Sequence, residues 1–262
     1  SDCIRRVAED EILPRFRNLE HHEITAKSPG DLVSIADTGA EKSLSAALLD
    51  RFPSAIVGGE EAIAHNPDVL EEVIGAETGF LIDPVDGTNN FIKGDEKFAL
   101  MLTHLQKGEV VAAWIYLPVR DKMAVAEKGS GALLNGVPIT LSDTDFDPQA
   151  MIAAAHIKRF PDDLRIMAKE NLTAFKKNRP AFCAGYDYIS LMEGKKSFSL
   201  YHRTLPWDHL PGALLFSEAG GYVRTLLEGQ EYTVHDRLKG LLAAVNEDHW
   251  YKLREIIFPG QF

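Results

Sequence analysis

The apolar run Phe80-Leu81-Ile82 ends on Asp83-Pro84-Val85-Asp86-Gly87-Thr88, and no other string constrains this chain as strongly. A short apolar run of this kind is a buried strand. It delivers Asp83 to the strand's C-terminal end, where open sheets commonly carry catalytic groups. Pro84 fixes φ and stiffens the turn. Asp86 follows three residues later and is expected to aim at the same point. Gly87 lets the backbone approach a ligand without a Cβ in the way. Thr88 supplies a hydroxyl, and the amides beyond it open a helix toward an anion.

Two other apolar segments end on acid: Gly58-Gly59-Glu60-Glu61 and Trp207-Asp208. Each has a bland reading. Asp-Pro and Asp-Gly are turn formers, Asp208 suits a helix N-cap, and Glu60-Glu61 suits a solvated turn. Together they offer several carboxylates with no histidine or cysteine nearby, a donor set that selects magnesium or manganese over zinc. The histidines, including His21-His22, show no ligand spacing.

The flanking pattern sets the architecture. Ile4, Val7, Ile12 and Phe16 recur at near-helical spacing, and a second helix is expected from Asp37 to Arg51 with Ala40, Leu44, Ala47 and Leu48 on one face. Lys27-Ser28-Pro29-Gly30-Asp31 reads as a loop. Strands are expected over Ala55–Val57, Gly79–Ile82, Lys97–Leu105, Val110–Tyr116 and Lys122–Ala126, with further turns at Gly129-Ser130-Gly131 and Asn135-Gly136. Beyond residue 145 strands and helices alternate. Strands are expected over Met151–Ala155, Ala181–Cys183, Ser197–Tyr201 and Leu241–Val245. Helices are expected over Asp162–Asn171, Tyr186–Met192, Trp207–Ala219 and Asp248–Ile257. Two parts follow: residues 1–145, helices and a mostly antiparallel sheet with most of the candidate ligands, and residues 146–262, an α/β layer with Asp208. Ser142–Gln149 is the expected joint.

At 262 residues with a formal net charge of −11, the chain repels a phosphate backbone, so nucleic acid is not expected as a partner. A metal can still supply local positive charge for a small phosphate. Two cysteines, Cys3 and Cys183, make no disulfide framework and fit a cytoplasmic setting. No stretch is apolar enough to span a membrane, and the charged N-terminal segment is not a signal peptide.

Ile82-Asp83-Pro84-Val85-Asp86-Gly87-Thr88-Asn89-Asn90-Phe91 resembles the DPxDGTxNF motif of the inositol monophosphatase family, the lithium-sensitive, magnesium-dependent phosphatase superfamily. Trp207-Asp208 with Ser217-Glu218-Ala219-Gly220-Gly221 resembles its second motif, and Gly59-Glu60-Glu61 its GEE segment. Lys27 to Val33 followed by Asp37 resembles its N-terminal pattern, so the resemblance spans nearly the whole chain.

The resemblance implies a layered α/β/α/β/α sandwich and hydrolysis of a small phosphorylated metabolite by metal-activated water. Glu60, Asp83, Asp86, Asp208 and the Val85 carbonyl would hold two or three magnesium ions, with manganese as the alternative. Gly87 and Thr88 would bind phosphate together with Asp86 and Asp208. Thr88, Glu60 and Asp37 would handle the attacking water. A cytoplasmic homodimer is implied as well.

Substrate choice lies outside these motifs. Inositol-specific members carry a Glu seven residues before the Trp-Asp aspartate, where this chain has Tyr201, and Gly-Thr-Ala or Gly-Ser-Ala where it has Gly185-Tyr186-Asp187. Tyr186 and Asp187 are candidate substrate contacts, or else a core ring and a cap. Histidinol phosphate, fructose 1,6-bisphosphate or a 3′-phosphonucleotide stay open as substrates. A phosphonucleotide calls for a basic pocket, and no basic cluster is visible in the sequence. A non-catalytic regulatory relative is the alternative of a different class.

Overall fold

The computed structural model describes residues 1–28 and 31–262. Helix α1 (Asp2–Val7) runs on through a π-helical stretch to Ile12. Strands β1 (Ile24–Ser28) and β2 (Asp31–Ser34) pair antiparallel and lead into α2 (Ile35–Arg51). Seven strands then form one sheet in sequence order: β3 (Ile56–Gly59), β4 (Gly79–Asp86), β5 (Ala99–Gln106), β6 (Glu109–Leu117), β7 (Lys122–Glu127), β8 (Ala132–Leu134) and β9 (Val137–Ile139). Between β3 and β4 lie α3 (Glu60–His65) and α4 (Asp68–Gly75), and α5 (Thr88–Ile92) follows β4. Strands β3 and β4 are parallel, whereas every other pair in this sheet is antiparallel.

The second sheet has five strands in the order β11-β10-β12-β14-β13: β10 (Ile152–Ala155), β11 (Lys177–Asn178), β12 (Phe198–Tyr201), β13 (Tyr222–Thr225) and β14 (Leu241–Ala244). Its helices are α6 (Asp162–Asn171), α7 (Ala184–Met192), α8 (Pro206–Glu218) and α9 (Glu247–Ile257). β10 is parallel to β11 and β12, and β14 is antiparallel to β12 and β13.

Side-chain alternation along the strands decides the layering, because successive residues face opposite sides of a sheet. Phe80, Ile82, Leu100 and Leu102 pack on Ile4, Ile12, Ala40 and Leu44 of the first helices. Their neighbours Leu81, Met101 and Ile115 pack on Tyr188, Leu210 and Leu215 of α7 and α8. The same two helices receive Tyr201, Leu241 and Ala243 from the second sheet. That sheet's other face, Phe198, Leu200, Leu242 and Ala244, packs on α6 and α9 through Ala168, Leu253 and Ile257. The result is the α/β/α/β/α sandwich, with both sheets covered on both faces.

Most expected elements stand within two residues of their predicted bounds. Four places differ. Ala181–Cys183 is not a strand: Phe182 has φ +57°, a left-handed conformation that ends extended backbone, and the edge strand is Lys177–Asn178 instead. Glu60-Glu61 opens a helix rather than a turn. Ala47, expected on the apolar face of α2, is exposed. The loop expected at Lys27–Asp31 falls partly on Pro29 and Gly30, outside the described residues, while Lys27, Ser28 and Asp31 belong to β1 and β2.

Candidate active site

Asp83 and Asp86 are three residues apart in one strand, a spacing that in regular pleating sends them to opposite faces. A bulge corrects this. Asp83 pairs with Met101 and Asp86 with Ala99, so three steps along β4 oppose two along β5. The extra residue restores parity, and both carboxylates line one cavity of about 180 Å³. Pro84 sits inside the bulge, where its missing N–H breaks no ladder bond. Gly87 follows at φ +89°, and a Cβ there would stand 3.0 Å from both Lys97 O and Cys183 Cβ. This glycine ends the strand and lets α5 begin at Thr88.

Glu60 comes from the first turn of α3 and Asp208 from the first turn of α8. One carboxylate oxygen from each of Glu60, Asp83 and Asp208 lies within 4.8 Å of the others. Burial raises Asp83 well above the usual carboxylate range, and the charges of Glu60, Asp208 and Asp86 raise it further. Burial, with Asp86 and Glu60, does the same to Asp208. Asp86 is pushed up to about 6 by burial, against hydrogen bonds from Gly185, Cys183 and Ala184. Acids forced together this way need a cation, and an all-oxygen set suits a hard divalent ion. The donor set therefore fits a metal, and Asp86 and the Val85 carbonyl line the same cavity.

Thr88 Oγ1 stands 3.1 Å from Asp37 Oδ1 and 3.1 Å from the Val85 carbonyl oxygen. Asp37 is fixed from the far side. Its Oδ2 accepts from the Ser34 amide at 2.8 Å and the Ser34 hydroxyl at 2.6 Å, the capping box that starts α2. Burial pushes Asp37 up to about 6, against the pull of Ser34.

Four participants were given no role at the site by the sequence. Glu41, one turn along α2 from Asp37, accepts from the Glu61 and Ala62 amides at 2.8 and 2.9 Å and so caps α3 beneath Glu60. Its signal was the four-residue helical spacing from Asp37. Lys27 Nζ bridges Glu60 and Glu61 at 2.8 Å each. Burial pulls this ammonium down, but the two carboxylates outweigh it and hold it above its usual range. Cys183 donates to Asp86 Oδ2 at 3.1 Å, and burial and Asp86 raise its thiol well above the usual value, which keeps it protonated. Arg203 lines the cavity beside Asp208.

Tyr186 and Asp187, candidate substrate contacts or else a core ring and a cap, have surroundings that fit the second reading. Neither lines this cavity or the larger one beside it. Asp187 is fully buried, accepts from the Ala181 amide, and is paired with Lys196 and, at 2.6 Å, with His156. Tyr186 packs on the central core under the Arg120 guanidinium.

A sequence profile described as the inositol monophosphatase family matches residues 4–257. The chain belongs to that family. Similar proteins include a putative Nus factor SuhB of Neisseria meningitidis serogroup A, 30% identical over 82% of this chain and 80% of that one. A fructose-1,6-bisphosphatase/inositol-1-monophosphatase of Aquifex aeolicus is 30% identical over 86% and 83%. Among solved structures, the extragenic suppressor protein suhB of Bartonella henselae superposes with a TM-score of 0.82 at 27% identity, over 99% of this chain and 95% of that one. The family is one of metal-dependent phosphatases, and its relatives carry both catalytic and regulatory names. No helix among the described residues is long and apolar enough to cross a membrane.

Proposed function

We propose that this protein hydrolyses a small phosphate monoester with magnesium, by direct attack of water. The observation that carries the reading is the convergence of Glu60, Asp83 and Asp208 oxygens within 4.8 Å, beside a threonine hydroxyl backed by a buried acid. Glu60, Asp83, Asp86, Asp208 and the Val85 carbonyl would hold magnesium, which when bound would supply charge to the phosphoryl oxygens and acidify water. Manganese, with the same oxygen preference, is the alternative ion.

The chain's own groups do the rest. Thr88 Oγ1 has one proton, and donating it to Asp37 Oδ1 leaves its lone pairs free to accept from water. Asp37, raised to about 6, is a better proton acceptor than an ordinary aspartate and still ionised at neutral pH. Glu60 is positioned by the helix that Glu41 caps, and Lys27 neutralises it. The amides after Gly87 face the phosphate. No phospho-enzyme is expected, since the carboxylates lining the cavity are those that would hold the metal, the Thr88 hydroxyl is bonded to Asp37, and Cys183, protonated against Asp86, lies outside it.

The test is Asp83→Asn, assayed for magnesium-dependent phosphate release; near-wild-type turnover rejects the scheme, and a phospho-enzyme trapped in rapid quench rejects the direct attack. Lithium inhibition, a homodimer and a cytoplasmic setting belong to the same proposal. Relatives named as Nus factors give a regulatory role as the second reading. A general phosphatase assay with and without magnesium separates the two.

A further inference from the structure

A second cavity, of about 570 Å³, adjoins the first and shares Asp86, Phe182, Arg203 and Asp208 with it. The alcohol portion of an ester whose phosphate lies at the acid cluster would extend into this space. His156 forms part of its wall, immediately after β10 ends. The residue is held firmly. Its backbone amide donates to the Leu200 carbonyl at 2.8 Å. Its Nε2 lies 2.6 Å from Asp187 Oδ2. One face of the ring stacks on Tyr201 at 4.7 Å, with 25° between the planes. Phe182 meets it edge-on at 5.8 Å.

Asp187 decides which ring nitrogen carries the proton. It is fully buried, accepts from the Ala181 amide and is paired with Lys196. Beside that ammonium it is a carboxylate, and a carboxylate only accepts hydrogen bonds. The His156 nitrogen that faces it is therefore the one bearing hydrogen. In the neutral ring the other nitrogen, Nδ1, then presents a lone pair. Among the described residues nothing bonds Nδ1, and it is not sealed from solvent, in a side chain that is 20% exposed. Lys196 already balances the Asp187 charge, so the fold does not need the imidazole as a counter-ion. What the pair adds is a hydrogen-bond acceptor of fixed direction on the cavity wall.

We propose that His156 selects the alcohol portion of the ester: Nδ1 accepts a hydrogen bond from a hydroxyl of that alcohol, and Asp187 is the positioning residue that fixes the tautomer. This rests on the hydrolytic reading above for its chemistry, although the contact itself is separable. An alcohol that is apolar at this point would bury Nδ1 without a partner, which is how a polar wall group rejects an analogue lacking the matching hydroxyl. Asp187 thus bears on the substrate without touching it.

The experiment compares inositol 1-phosphate and 2-glycerophosphate, whose alcohols carry free hydroxyls, with phenyl phosphate, whose alcohol has none. Phosphate release with magnesium is measured. His156→Gln keeps a donor toward Asp187 and lacks the second nitrogen. Asp187→Asn keeps its shape and can donate to Nε2, which moves the ring proton to Nδ1. In both, the ratio of kcat/KM for the better hydroxylated ester over phenyl phosphate is expected to fall roughly tenfold, mostly through KM. Asp187 is buried, so His156→Gln decides if Asp187→Asn does not fold. ¹⁵N spectra of histidine-labelled protein give a readout apart from activity. The His156 signals, those missing in His156→Gln, are expected to show the Nε2–H tautomer, and the Nδ1–H tautomer in Asp187→Asn. A ratio untouched by His156→Gln, or an Nδ1–H tautomer in the unaltered protein, overturns the proposal. No turnover of any ester rejects the hydrolytic reading instead. Calorimetric binding of inositol 1-phosphate with magnesium that weakens in His156→Gln then upholds the contact, and binding that is absent or unchanged overturns it.

Discussion

Asp86 Oδ2 accepts a hydrogen bond from the backbone amide of Gly185 at 2.6 Å, tying the end of β4 to the first turn of α7 across 99 residues. This bond fixes one of the two carboxylates that line both cavities. It also explains the glycine. A Cβ on residue 185 would meet Ala99 Cβ at 2.7 Å and Ile115 Cγ2 and Met101 Sδ at 3.1 Å.

Gly185→Ala is therefore expected to push α7 off the seven-stranded sheet and away from Asp86. Overpacking of this kind costs roughly 1–3 kcal/mol. A fall in thermal midpoint together with weaker magnesium binding is the expected outcome. Unchanged magnesium affinity would detach Asp86 from the metal cluster.

Thr88→Val keeps the shape of the side chain and removes the hydroxyl that stands between Asp37 and Val85. A general acid–base contribution of roughly 10²–10⁴ in kcat is at stake, with KM little changed. Thr88→Ser should restore most of the rate. Equal activity in both variants would assign the residue a packing role.

Removing magnesium should change how stability depends on pH. Asp37 and Asp86 are raised to about 6, so the folded metal-free protein binds more protons than the unfolded chain between the ordinary aspartate value near 3.9 and 6. Stability without metal is thus lost as pH rises through that window and stays lower above it. Asp83 and Asp208, raised by burial, act in the same direction. Melting curves in EDTA and in magnesium should diverge from pH 5 to pH 7.5 by several degrees, about the shift a few kcal/mol produces. Parallel curves would mean that the cluster binds no ion.

Lys27 holds Glu60 and Glu61 at 2.8 Å each, in competition with any cation at Glu60. Lys27→Met should tighten magnesium binding several-fold, read by calorimetry, and lower the stability of the metal-free protein. Weaker binding would place Lys27 among the groups that organise the site.

The sequence by itself determined the layers and most of the candidate ligands. Apolar runs in β4 and β5 and helical spacing in α2 are local patterns, and the Asp83–Thr88 string states its own turn and acids within six residues, whereas the bulge shows only in the pairing with β5. Tertiary structure alone decided which residues line the cavities. Tyr186 and Asp187 lie next to the site in sequence, yet the N-terminal turn of α7 buries Asp187 against Lys196 and His156. Lys158 and Arg203 lie 45 residues apart and meet because two parallel strands end at one edge. Periodicity and turn chemistry act over a few residues, whereas a pocket wall is set by which strand ends become neighbours, and only the packed sheet specifies that.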